Sequence, residues 1–119
     1  MNENTKPFLD NFMNDYRAVF GKDQSDKNIL LFISFYSKKT AWTGVLAVLW
    51  LLSQQRMSSD PVVITNTPTH LEIAKLLGIA RESVSIQMLE ARKRGLIDYS
   101  RRGIVVKDSN KLFNAIFGE

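Results

Sequence analysis

Aromatic side chains recur at every fourth position near the start of the chain, which is the spacing of one face of an α-helix. The four positions are Phe8, Phe12, Tyr16 and Phe20. Pro7 suits the first turn of this helix, and Gly21 suits its end. The stripe could pack into the chain's own core. It could also form a dimer interface, because so wide an aromatic face is hard to cover in a small protein. We keep both interpretations and take the four rings as candidate dimerisation residues.

Two apolar stretches follow, and each predicts a further helix. The first spans Lys27 to about Ser37, and the second spans roughly Thr40 to Gln55. Residues 38–40 contain no strong helix breaker, so one longer helix is an alternative. The most apolar part, residues 41–52, is shorter than the ~20 residues that a membrane-spanning helix needs. We therefore predict a buried helix and no membrane partner.

Residues 62–94 predict a strand and then two closely spaced helices. Val62–Ile64 is short and β-branched, which favours a strand. Thr69 and Glu72 have the spacing of a capping box, at the start of a short helix that ends at Gly78. The next helix, 81–94, begins after a tight turn. Two helices joined in this way form a helix-turn-helix.

A β-hairpin is predicted directly after these helices, over about 97–106, with Arg101 and Arg102 at its tip. A hairpin in this place is the wing of a winged helix-turn-helix, and a last helix follows it. The predicted fold is mainly α with a small β-hairpin (α+β): a winged helix-turn-helix preceded by a helical extension. We place the extension, a candidate dimerisation region, at 1–39 and the winged DNA-binding domain at 40–119.

The composition removes several kinds of chemistry. The absence of cysteine excludes disulfides, thiolate metal sites and a cysteine nucleophile. His70 is the one histidine, so a multi-histidine metal site is excluded, and the chain has no glycine-rich phosphate loop. We therefore expect no metal, no cofactor and no catalytic residues, and we predict that the protein is not an enzyme. The start of the chain carries no signal-peptide core, which predicts a cytoplasmic protein.

The positive charge is concentrated in one part of the chain. The formal net charge is +4, and residues 81–107 alone hold seven basic and three acidic residues. Residues 1–60 hold seven basic and six acidic residues, so that part is nearly neutral. The pattern predicts a near-neutral helical scaffold that presents one basic element, as expected for a nucleic-acid partner.

The helix-turn-helix segment resembles a known family. Residues 71–85, and their continuation through Arg94-Gly95-Leu96-Ile97, are similar to the DNA-binding domain of the cyclic-AMP-receptor/Fnr (Crp/Fnr) family of bacterial transcription regulators. The most specific element is Gly-x-x-Arg-Glu-Ser-Val-Ser, and the resemblance runs from about Thr40 to Ile116. No cyclic-nucleotide-binding barrel is visible in the sequence, so the chain resembles the output half of such a regulator without its sensor.

The resemblance implies a set of base-contacting residues at the start of the second helix. Arg81 matches an arginine that bonds guanine O6 and N7, and Glu82 matches a glutamate that accepts from cytosine N4. Ile86 stands where the best-known members carry a second base-contacting arginine, so a different operator is implied, and an isoleucine suits a thymine methyl group. The candidate base-contacting residues are Arg81, Glu82, Ser85, Ile86 and Gln87.

A second set is expected to contact the DNA backbone. Thr69 and His70 lie at the start of the first helix, Ser83 matches a small polar position, and two arginines lie at the hairpin tip. The candidate backbone-contacting residues are Thr69, His70, Ser83, Arg101 and Arg102.

These features predict a sequence-specific, double-stranded-DNA-binding transcription regulator. The recognition helix, about 81–94, enters the major groove, and the wing, about 97–106, contacts the backbone. We expect a homodimer on a near-palindrome in the bacterial nucleoid, with RNA polymerase as a candidate partner. Two alternatives stay open: a winged-helix module that binds another protein, and a plasmid or phage replication or partition factor.

Overall fold

The structure, a computed structural model, describes residues 6–54, 61–65 and 67–117. Within these residues, six helices and three strands follow one another in the predicted order. They are α1 (Lys6–Phe20), α2 (Asp26–Lys39), α3 (Ala41–Gln54), β1 (Val62–Ile64), α4 (His70–Leu77), α5 (Arg81–Lys93), β2 (Ile97–Ser100), β3 (Gly103–Val106) and α6 (Ser109–Phe117). The fold is the predicted one, mainly helical with a small antiparallel sheet.

A single non-helical residue separates α2 from α3. Thr40 has an extended backbone (φ −159°, ψ 159°), which no continuous helix can contain. Its hydroxyl oxygen accepts a hydrogen bond from the Thr43 amide at 3.0 Å, so Thr40 also satisfies an otherwise unpaired amide at the start of α3. The alternative of one longer helix is therefore wrong. Gln55, the predicted last residue of the third helix, lies outside the described residues.

Helix α3 lies at the centre of the fold. Its side chains are buried on almost every face, and it contacts all five other helices as well as β1. A helix that is apolar all round must be covered on all sides, so the surrounding elements pack around it. The described residues include no helix long and apolar enough to cross a membrane.

The aromatic stripe of α1 packs mainly into the chain's own core. Phe8, Phe12 and Tyr16 are between 0 and 9% exposed and belong to the same buried cluster as α3. This burial favours the core interpretation of the stripe over the dimer interface, because a side chain covered by its own chain offers little surface to a second copy. Phe20, at the end of α1, is 41% exposed and contacts the rings of Phe32 and Trp50.

The predicted strand and the predicted hairpin form one sheet of order β1-β3-β2, in which every pair is antiparallel. Val62 lies opposite Val106 and Ile64 opposite Ile104 in the first pair, and Ile97 lies opposite Val106 in the second. All five of these side chains are buried. The wing is therefore held on the core by a third strand, a pairing that the sequence patterns did not predict.

Gly103 marks the point where the hairpin returns beside β1. Its φ is +143°, and a Cβ at this position would lie 2.1 Å from the Ile64 carbonyl oxygen. Gly95 has a positive φ of +77° as well, but a Cβ there would meet nothing within 4 Å. Only Gly103 thus combines backbone strain with a steric clash in this pair of turns.

We predict that Gly103→Ala destabilises the protein by more than about 3 kcal/mol, because β3 must move away from β1 in addition to the backbone strain. Gly95→Ala is the matched control. It should lower the free energy of unfolding by only about 1–2 kcal/mol, because it adds backbone strain and no steric clash. Urea unfolding followed by circular dichroism measures both values. Equal costs for the two variants would show that the close approach to Ile64 does not matter.

Candidate nucleic-acid interface

Helix α4 begins at a complete capping box. The Thr69 hydroxyl oxygen accepts from the Glu72 amide at 3.0 Å, and a Glu72 carboxylate oxygen accepts from the Thr69 amide at 2.8 Å. Both predicted members of the box are thus confirmed. The box fixes the first turn of α4, so His70, the first residue of the helix, has a defined position relative to α5.

A left-handed glycine makes the turn between α4 and α5. Gly78 has φ 71° and ψ 35°, and the amides of Gly78 and Ile79 both donate to the Ala74 carbonyl, at 2.8 and 3.1 Å. Ala80 precedes α5 without any side-chain cap. The predicted helix-turn-helix is confirmed by this geometry, and Ala74 is buried beneath the turn.

Helix α5 packs through one face and exposes the other. Val84, Met88 and Ala91 are buried against the core. All five predicted base-contacting residues lie on the rest of the helix: Arg81, Glu82 and Ile86 are exposed, and Ser85 and Gln87 are half-buried. The predicted set is therefore brought together on one helix, with its two charged members at the N-terminal end.

The structure links His70 on α4 to Ser85 on α5. The imidazole Nδ1 and the Ser85 hydroxyl oxygen are 2.7 Å apart, and both side chains are half-buried. Burial lowers the pKa of His70 below its usual value, and the positive charge of Arg81 lowers it further. A predicted backbone-contacting residue and a predicted base-contacting residue thus share one hydrogen bond.

The two arginines of the wing lie where the hairpin pattern placed them. Arg101 and Arg102 form the exposed turn between β2 and β3. The Arg102 amide donates to the Ser100 hydroxyl oxygen at 3.1 Å, and the Ser100 hydroxyl donates to the Gly103 carbonyl at 3.4 Å. These bonds close the turn, so the two guanidinium groups extend from a defined loop.

The helix-turn-helix and the wing match a known domain family. The family described as the Crp-like helix-turn-helix domain matches residues 45–114, which is more than half of the chain. The chain belongs to this family. It is a family of DNA-binding transcription regulators rather than of enzymes, so the resemblance noted in the sequence is confirmed. No curated protein matches the chain in sequence.

The fold of this Crp-like domain is similar to a solved structure, that of reduced CprK in the absence of any ligand. The TM-score is 0.56 at 17% sequence identity. The match covers 90% of this chain and 54% of CprK, so the chain spans about half the length of that protein. At this identity the likeness shows the fold.

Two arginines, one in the last turn of α5 and one directly after the helix, form contacts within this domain. Arg92 donates to Asp98 at 3.1 Å, and Arg94 donates to Glu90 at 2.8 Å while its guanidinium lies 4.8 Å from the Trp42 ring centre. The amide of Tyr99 and the charge of Arg92 lower the pKa of Asp98, so this contact weakens only as pH falls below the usual aspartate range. These arginines therefore tie α5 to β2 and α3.

One exposed residue of α5 was missed by the sequence analysis. Leu89 is 53% exposed and follows Ile86, which is 62% exposed, by three positions on the same face. The signal was available, because Leu89 also follows Glu82 by seven positions, the spacing of two helical turns. The outward face of α5 thus has charges at its start and aliphatic side chains at its centre. Among the residues described, no three His, Asp or Glu side chains are grouped to hold a metal ion.

Proposed function

We propose that the protein is a sequence-specific, double-stranded-DNA-binding transcription regulator that inserts α5 into the major groove. The observation that carries this proposal is the exposed face of α5, which begins with Arg81 and Glu82 and belongs to a confirmed helix-turn-helix. The helix has 13 residues, a length of about 20 Å, and a major groove about 12 Å wide admits an α-helix.

The base contacts follow from the chemistry of the exposed side chains. Arg81 has the planar fork that fits guanine O6 and N7, and Glu82 accepts from the amino group of cytosine. Ile86 and Leu89 can offer only apolar contact, which suits the methyl groups of thymine. Half-buried Ser85 and Gln87 contribute from the sides of the helix. We therefore expect an operator with a G·C pair beside a thymine-containing step.

The backbone contacts come from elements on either side of α5. Thr69 and His70 lie at the N-terminus of α4, where amide groups and the helix dipole favour phosphate. Ser83 lies in the first turn of α5, and Arg101 and Arg102 lie at the tip of the wing. Contacts of this kind fix the register of a protein on DNA without specifying sequence.

We further propose that the regulator is a homodimer that pairs through α2. Leu30, Leu31 and Phe35 are 53, 57 and 55% exposed on this one helix. A second copy is the occupant that fits both this apolar face and a helix-turn-helix, because two recognition helices one helical turn apart on DNA require two-fold related copies. In this proposal residues 1–39 form the dimerising extension and residues 40–119 the DNA-binding domain. The protein acts on the nucleoid in the cytoplasm, where RNA polymerase is a candidate partner.

The apolar centre of α5 supports one alternative function. Ile86 and Leu89 form a small exposed aliphatic surface, which also suits another protein. A protein-binding module would be indifferent to DNA sequence and would respond weakly to salt. Selection of bound duplexes from a random pool at two salt concentrations separates the two functions, and an enriched palindrome supports the proposed dimeric regulator.

Arg81→Ala should abolish the preference for the enriched duplex at one base pair, at a cost of about 1–3 kcal/mol, while non-specific binding persists. Arg81→Lys is the matched control: it keeps the positive charge but loses the fork, so the same preference should fall. Competition binding between the selected duplex and a scrambled one measures the effect. An unchanged preference in both variants would contradict this orientation of α5.

Arg101→Ala with Arg102→Ala should weaken binding to selected and scrambled duplexes alike. The slope of log K against log salt should become shallower by about two, roughly one for each lost phosphate contact. The control variant, Lys22→Ala with Lys111→Ala, removes the same charge from exposed positions outside the interface. Fluorescence anisotropy across a salt series gives the slopes, and equal slopes for the two double variants would exclude a backbone contact by the wing.

Leu31→Glu should raise the dimer dissociation constant at least about tenfold, because a carboxylate would be buried in the α2 interface. Ala18→Glu adds the same charge at an exposed position of α1 and should leave the association unchanged. Sedimentation velocity over a concentration series gives the constants. A wild-type chain that stays monomeric, or a Leu31→Glu variant that still dimerises normally, would contradict pairing through α2.

A further inference from the structure

The hydrogen bond between His70 and Ser85 joins the two helices of the proposed DNA-contacting surface. His70 is the first residue of α4, and Ser85 lies one helical turn after Arg81 on α5. The 2.7 Å separation of Nδ1 and Oγ is a hydrogen-bond distance, and which of the two atoms donates depends on the tautomer and the protonation of the imidazole. Burial and the charge of Arg81 favour the neutral imidazole, and with an unprotonated Nδ1 the Ser85 hydroxyl is the donor.

The direction of this bond decides what Ser85 can still offer to DNA. A serine hydroxyl has one hydrogen to donate and two lone pairs that accept. If its hydrogen is given to neutral His70, Ser85 retains only acceptor capacity. If His70 is protonated, Nδ1 donates to Ser85 and the serine hydrogen is released for another acceptor. The imidazole thus sets the hydrogen-bonding polarity of its neighbour.

We propose that His70 is a specificity-determining residue that switches the base preference at the position contacted by Ser85. With neutral His70, Ser85 selects a base that presents an amino group in the major groove, adenine or cytosine. With protonated His70, Ser85 can donate to guanine, to thymine or to N7 of adenine, and cytosine, which presents no acceptor in the major groove, is disfavoured. The inference rests on the proposed function, because it requires α5 in the major groove.

The surroundings of His70 determine when the switch occurs. The charged group that acts on it from α5 is Arg81, and burial together with that charge favours the neutral form in the free protein. On α4 itself, the Glu72 carboxylate is bonded to the Thr69 amide. Phosphates near the N-terminus of α4 would favour the charged form, so bound DNA should shift the titration upward from its value in the free protein.

The test is selection of bound duplexes at about pH 8 and about pH 5, because the lower pH must protonate a histidine whose pKa lies below the usual value. For the wild type we expect the ratio of cytosine to guanine or thymine at one base position to fall at the lower pH by about three- to tenfold, the size of one hydrogen bond. The preference at the base pair contacted by Arg81 should stay the same at both pH values.

Two variants separate the switch from a merely structural contact. His70→Gln can still bond Ser85 but cannot titrate in this range, so its preference should be independent of pH. Ser85→Ala should lose the preference at this base pair at both pH values. Thermal unfolding of each variant shows whether it is folded before its selection is interpreted.

Nuclear magnetic resonance gives a second measurement on the same bond. His70 is the single histidine of the chain, so its imidazole signals need no assignment among others. At high pH the ¹⁵N shifts should show the tautomer with hydrogen on Nε2, and Ser85→Ala should weaken that bias. A dominant Nδ1–H tautomer would overturn the inferred direction of the bond.

The outcomes of the selection distinguish the role of His70 from the proposed function on which it rests. A wild-type preference that does not change with pH, or a change that persists in His70→Gln, would overturn the role of His70 and leave the regulator itself intact. The absence of any enriched duplex at either pH would overturn the proposed function and the switch with it.

Discussion

The burial of α3 on all sides is the constraint on which the rest of the structure depends. Because this helix is apolar around its whole circumference, every neighbouring element must give up one face to cover it. Helices α1, α2 and α6 do so together with α4, α5 and β1, and one hydrophobic cluster results. The N-terminal helices are therefore part of the core that supports the helix-turn-helix. Residues 1–39 and 40–119 differ in their proposed roles, but the same buried cluster includes side chains from both.

Each element of the proposed DNA surface has an inner face fixed by this core and an outer face left for binding. Val84, Met88 and Ala91 anchor α5, while the capping box of α4 and the left-handed Gly78 set the approach of the two helices. The pairing of β1 with β3 does the same for the wing. The exposed side chains are thus carried by helices and strands that buried contacts anchor, so binding should require little further ordering of the backbone.

The features that could be predicted from the sequence are those with local signals. The Thr69–Glu72 spacing, the glycine at 78 and the apolar periodicity of α5 involve residues only a few positions apart, and each was confirmed. The destination of the α1 rings, the pairing of Val62 with Val106 and the bond between His70 and Ser85 join distant parts of the chain. No periodicity encodes such contacts, since they depend on how elements pack. Leu89 is different, because helical spacing alone would have placed it beside Ile86.

The arrangement of charge along the outer surface is consistent with a groove rather than a flat partner. Phosphates lie along the edges of the major groove and base edges lie on its floor, so a matching protein surface needs cations at its margins and short or apolar side chains between them. Arg81 lies at the start of α5 and Arg101 and Arg102 lie on the wing, while Ile86 and Leu89 occupy the centre of the helix. Arg92 forms an ion pair with Asp98, and Arg94 forms one with Glu90. These pairs reduce the net positive charge at the C-terminal end of α5, and with it the non-specific attraction for phosphate. The small net charge of the protein therefore suits a DNA affinity that depends on where the charged side chains lie more than on their total number.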